Sequence, residues 1–168
     1  MEDGVAFEML DDGTLQERNM GMESDEISSA FAEHLREFVV PRKLGVVFGQ
    51  GTGLQIFPGR PNRIPRADAG FISAGRLPSG RSFRGHLVVV PELLVEVVSP
   101  NDTVDEVEAK AAEYLALGVS VVWVVKPGSR SVDVWRADGS VTRLTGDEEV
   151  AGDAFLPGFA VKVSAFFP

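Results

Sequence analysis

Glu96 stands in the middle of PELLVEVVSP, with Leu93, Leu94 and Val95 before it and Val97 and Val98 after it. A run this apolar reads as a strand buried on both faces. A carboxylate placed there neutralises or acquires a partner, because a bare buried charge is too costly to keep. Asp68 repeats the situation in RADAGFIS, among small and apolar residues. Two such carboxylates on adjacent strands repel each other, and one of them protonates unless a cation lies between. Oxygen ligands suit Mg²⁺ or Mn²⁺, so a divalent metal shared by Asp68 and Glu96 is the expected partner. Lys110 is the third candidate. At helical spacing it falls on the flank of the stripe Val104, Val107, Ala111, Tyr114 and Leu115. Its stem can lie along the core with its head in water, or its ammonium can reach the carboxylates of the preceding strand. In the second case the set is hydrolytic: the metal polarises a phosphoryl oxygen and activates water, and the lysine offsets charge on the transferring phosphate.

These residues need a sheet and a helix to bring them together. Ile27, Ala30, Phe31, His34, Leu35 and Phe38 recur at three and four, which predicts a helix from Glu23, capped by Ser24 and stopped by Pro41. Residues 1–22 read as an extended or partly ordered lead-in with little pattern, with a short helix as the alternative, and 23–168 as the core of a single domain. LGVVFGQGTGLQIFPG predicts two short strands around a glycine-rich turn, and RIPRADAGFIS a third strand. Thr103 with Glu106 forms a capping box for the helix that carries Lys110, and Gly118 ends it. VSVVWVV then returns as a strand parallel to the Glu96 strand, since a helical crossover joins the two. VDVWR and VTRLT predict a hairpin, and the tail DAFLPGFAVKVSAFF docks on the body. The expected fold is α/β (α+β): a mixed central sheet flanked by helices, with added C-terminal hairpin strands.

The 168 residues carry a net charge of −9 and no cysteine. A disulfide framework and thiolate metal sites are therefore excluded. The start MEDGVAFEML lacks the basic and apolar regions of a signal peptide, and no apolar run reaches membrane-spanning length, so the expected location is cytoplasmic, without membrane contact. The charge is uneven. From Arg36 to Arg84 there are nine basic residues and only two acids, Glu37 and Asp68. A basic face on an acidic body suits a phosphate backbone, and Arg63, Arg66, Arg81 and Arg84 are its expected contacts.

With Asp68, Glu96 and Lys110 identified, the chain resembles a large bacterial family of restriction-endonuclease-fold proteins in the PD-(D/E)xK nuclease superfamily. The resemblance runs from GTLQERNMGMESDEISSAFAEHL through RADAGFIS to PELLVEVVSPNDTVDEVEAKAAEYLALGVSVVWVVKPGSRSVDVWRADG and FLPGF. It implies a restriction-endonuclease-like core with a metal at the sheet. It makes Asp68 the metal-binding aspartate and Glu96 the acid of the second motif. The superfamily lysine stands two residues after that acid, where this chain has Val98; the resemblance puts Lys110, on the following helix, in its role. It further implies Glu23 as an outer carboxylate. Ser24 stands where relatives carry histidine, and Ala67 where the superfamily carries proline. The function implied is a divalent-metal-dependent endonuclease hydrolysing phosphodiester bonds in double-stranded DNA, with a homodimer as the assembly to test. The alternative is a nuclease-fold binding module with little or no catalysis.

Other candidates are weaker. His34 and His86, the only histidines, have no visible acid partner or sit on an apolar face. Trp123 and Trp135 read as core, and Asp102 and Asp105 as helix N-terminal acids.

Overall fold

Ile27, Phe31, Leu35 and Val39 are fully buried along one face of helix α1 (Met22–Val39) in the computed structural model, which describes residues 6–18, 21–79 and 84–168. The helix begins one residue before its expected start at Glu23. Gly21 is the N-cap, its carbonyl accepting from Asp25 N–H at 3.0 Å, while Ser24 sits inside the first turn and is buried. Val40 caps the other end, and Pro41 prevents continuation. Helix α2 (Val104–Ala116) carries the capping box as expected. Glu106 N–H donates to Thr103 Oγ1 at 3.2 Å, and Thr103 N–H donates to Glu106 Oε2 at 3.0 Å.

Between and after these helices runs a six-stranded sheet: β3 (Gly45–Gly49), β4 (Ala69–Ser73), β5 (Leu93–Val97), β6 (Val121–Lys126), β7 (Ser131–Arg136) and β8 (Val141–Thr145), in that spatial order. All neighbours are antiparallel except β5 and β6, which are parallel and joined through α2. Side-chain alternation sorts the core into two layers. Val95, Val97 and Trp123 face α1 and the C-terminal segment, where Phe31 stacks on Phe166 with centroids 3.7 Å apart. Leu94, Val122 and Val124 face α2, with Tyr114, Ala111 and Phe57. Glu96 is on this second face.

Two expectations change. Residues 6–18 are a hairpin, β1 (Ala6–Met9) paired with β2 (Leu15–Arg18), turned at Asp12–Gly13 with Gly13 at φ +82°. Asp-Gly is a hairpin signal, and the acidity of the segment had obscured it. The stretch GLQIFPG forms no second strand; Gly53 and Leu54 make single bridges to Arg66 and Leu87. Pro58, Pro61 and Pro65 lack the N–H groups a ladder needs, and the RIPRADAGFIS strand shortens to β4 for the same reason. After β8, a short pair β9 (Glu149–Ala151) and β10 (Ala160–Lys162) completes the tail. No helix among the described residues is long and apolar enough to cross a membrane.

Candidate active site around Glu96 and Lys110

Glu96 is 2% exposed, at the centre of β5. The helix that follows it folds back over the same face, and the register puts Lys110 above the strand. Lys110 Nζ lies 3.3 Å from Glu96 Oε1. The ammonium also donates to Glu8 Oε1 at 2.9 Å and to the Arg66 carbonyl at 3.4 Å. Tyr114, one turn further along α2, donates its hydroxyl to Glu96 Oε1 at 3.1 Å. The lysine therefore faces the strand and not open water.

Asp68 is equally buried, at a bend just before β4. It brackets Glu96 on the neighbouring strand. Its N–H donates to the Val95 carbonyl at 3.0 Å, and its Oδ2 accepts from Val97 N–H at 2.6 Å. Asp68 borders a small depression on the α1 side with Ser28 and Gln50. Glu96, Lys110 and Glu8 border a larger cleft of about 600 Å³, whose rim carries Gln16, Asp102 and Glu106.

Glu8 was not a sequence candidate. It lies in the hairpin, with Glu8 and Gln16 paired across its strands and turned to the cleft. It also accepts from Arg66 N–H at 3.1 Å. Nothing in the local pattern ties residue 8 to residue 110; only the alternation of Glu8 against Phe7 and Met9 marks it as facing differently from its neighbours. Tyr114 carried a signal, its place four residues after Lys110 on one stripe. Glu23, the expected outer carboxylate, is not brought to Glu96. It sits in the first turn of α1 and borders a separate depression whose lining includes Pro100 and Lys126.

The arginines of the basic segment are largely engaged within the protein. Arg63 makes a two-pronged pair with Glu113 at 2.9 and 2.8 Å and lies over the Phe57 ring. Arg60 reaches Asp11 of the hairpin turn and Glu113. Arg66 Nε donates to the Phe7 carbonyl at 2.8 Å. Arg76 pairs with buried Glu92 at 3.1 Å. Acids remote in sequence, Asp11 of the hairpin and Glu113 of α2, are what Arg60 and Arg63 meet. Arg84 is exposed, and Arg81 lies outside the described residues. Trp123 is fully buried between Phe31 and Phe159 and has no face for a base.

No group of three or more metal-ligating side chains among the described residues forms a ready-made cage. Mg²⁺ does not require one: it commonly takes one or two carboxylates and completes its shell with water and substrate phosphate. Hard carboxylate oxygens such as those of Asp68 and Glu96 are the donor type that ion takes, and the two border different openings, Asp68 the depression beside α1 and Glu96 the cleft beside α2.

A family model described as "Uma2: Putative restriction endonuclease" matches residues 1–164. Among solved structures, the chain is similar to one from Anabaena variabilis described as "a putative nuclease belonging to DUF820", with a TM-score of 0.80 at 18% identity, covering 99% of this chain and 92% of that one. At that identity the likeness shows the fold, which is the mixed sheet expected from the sequence. No curated protein matches the chain.

Proposed function

Since the chain belongs to the Uma2 family of restriction-endonuclease-like proteins, we propose that it is a divalent-metal-dependent endonuclease acting on double-stranded DNA. The observation that carries this reading is the convergence of Lys110 on Glu96 at 3.3 Å, with Asp68 bound to the backbone of the next residue. Asp68 and Glu96 would hold Mg²⁺ or Mn²⁺. The ion supplies polarisation of a phosphoryl oxygen and acidification of water. Lys110 stabilises charge on the transferring phosphate from a half-buried position, where a fixed ammonium acts more strongly than in water. Glu8 holds that ammonium toward the strand. Arg84 and Arg81 remain the candidate phosphate contacts. Arg63 and Arg66 take part where substrate phosphates exchange with their present partners.

The acids on the cleft rim, Glu17, Asp102 and Glu106, favour a second reading, a nuclease-fold binding module without catalysis. A polyanion is repelled there unless cations reverse the local sign. Nicking of supercoiled plasmid with Mg²⁺ or Mn²⁺, with and without chelator, separates the two. Metal-dependent nicking that vanishes in Glu96→Gln supports the enzyme. Absence of nicking with either metal leaves the binding module.

A further inference from the structure

Tyr114 is the single tyrosine of the chain and is fully buried. Its hydroxyl donates to Glu96 Oε1, the same oxygen that Lys110 approaches. The Lys110 ammonium also lies 6.0 Å from the Tyr114 ring centroid, and Phe57 packs against that ring at 6.4 Å. A buried phenol needs an acceptor, and any backbone carbonyl would satisfy it. Here it takes the one carboxylate in an otherwise apolar strand. A hydroxyl donating to an ionised carboxylate forms a strong, directional bond that fixes the plane of the acceptor. The Lys110 and Tyr114 side chains leave α2 one turn apart, so the helix delivers both to Glu96 as a unit.

From this geometry we infer that Tyr114, on the metal reading of the Glu96 site on which this rests, is a positioning residue: it sets the orientation of the Glu96 carboxylate and through it the affinity of the site for a divalent cation. Partners that orient ligands from outside the coordination sphere commonly change metal affinity by about 10–100-fold when removed. A tyrosine that only filled the core would alter melting temperature and leave that affinity alone.

The test is calorimetric titration of Mn²⁺ into the wild type, Tyr114→Phe and Phe57→Leu. Tyr114→Phe keeps the ring and loses only the hydroxyl; its Mn²⁺ binding should weaken about 10–100-fold. Phe57→Leu loosens the packing behind the ring; it should melt lower and bind Mn²⁺ as the wild type does. Equal affinity in Tyr114→Phe and wild type overturns the assignment, as does an equal loss in both variants. A wild type that binds no Mn²⁺ removes the metal reading itself, an outcome distinct from either. A second measurement needs no variant. With ¹³C-tyrosine the protein gives one Cζ resonance, from Tyr114, and Mg²⁺ should shift it with the midpoint found by calorimetry. A resonance that stays still while Mg²⁺ binds overturns the assignment.

Discussion

Two lysines stand on opposite flanks of the α2 packing, each between two carboxylates, and they differ in what surrounds them. Lys126 lies 2.8 Å from Glu108 and 2.7 Å from Asp133. Arg143 closes that group with a fork on Asp133 at 2.8 and 3.0 Å, so two cations meet two anions. Lys110 lies 2.9 Å from Glu8 and 3.3 Å from Glu96, with Asp68 anchored beside Glu96. Glu8 also accepts from the Arg66 backbone N–H at 3.1 Å, and the Tyr114 hydroxyl donates to Glu96 at 3.1 Å. The Lys126 group is electrically complete and ties α2, β6, β7 and β8 together. The Lys110 group joins the hairpin, β5 and α2 and borders the large cleft. A lysine between carboxylates is thus no sign of function by itself; the two groups differ in the second donor to the carboxylate, a guanidinium fork on Asp133 and a neutral hydroxyl on Glu96.

The comparison can be broken at its strongest point first. Lys110→Ala should slow metal-dependent plasmid nicking by about 100- to 1,000-fold, the loss typical when one preorganised donor to transition-state charge is removed. Its circular dichroism should match the wild type. Asp133→Ala should do the reverse. It should cost about 3 kcal/mol in urea unfolding, the low end for breaking a buried pair because Glu108 still faces Lys126, while activity per folded molecule stays at the wild-type level. If Asp133→Ala abolishes nicking in folded protein, the two clusters are not separable.

Metal sharpens the contrast. At about a hundredfold excess over its dissociation constant, Mn²⁺ should stabilise the wild type by about 2.7 kcal/mol. Asp133→Ala should keep that response in thermal melts. Glu96→Gln and Asp68→Asn should each lose it. Equal responses in all of them would leave Glu96 as a partner of Lys110 and Tyr114 in a structural group.

The smallest expected effect is in acid. Arg143's fork on Asp133, reinforced by Lys126, holds the Asp133 carboxyl below its ordinary value of 3.8 against the opposing pull of burial. A depressed folded pKa contributes stability that is complete above the unfolded value and is lost as pH falls through the folded one. Wild type should therefore lose stability below about pH 4 more steeply than Asp133→Asn, checked by urea midpoints across that range.

The sheet, the crossover and both main helices were legible because Val, Leu and Ile patterning fixes which face each element buries. Glu96 was legible for the opposite reason: it breaks that patterning. Lys110 could be placed on a flank, and the register of α2 on β5 resolved which way it reached. Glu8 was not legible, because its role depends on a hairpin finding a helix distant in sequence. The basic segment was misleading in a related way. Arg60 and Arg63 looked unbalanced along the chain, yet Asp11 and Glu113 meet them in space.

Glu8 and Lys110 are separated by 102 residues. Glu96, Lys110 and Tyr114 come from one contiguous strand–helix unit, which closes a short loop and is expected to form before the long-range contact of the hairpin. The hairpin must close a far longer one, whose entropic cost is repaid only after α2 has a surface to receive it. During refolding the core should reach native fluorescence before the lysine acquires its second carboxylate. A protein stopped at that stage would be compact and mobile only at the cleft. Its competence would then be limited by the arrival of the first strand, not by the formation of the fold.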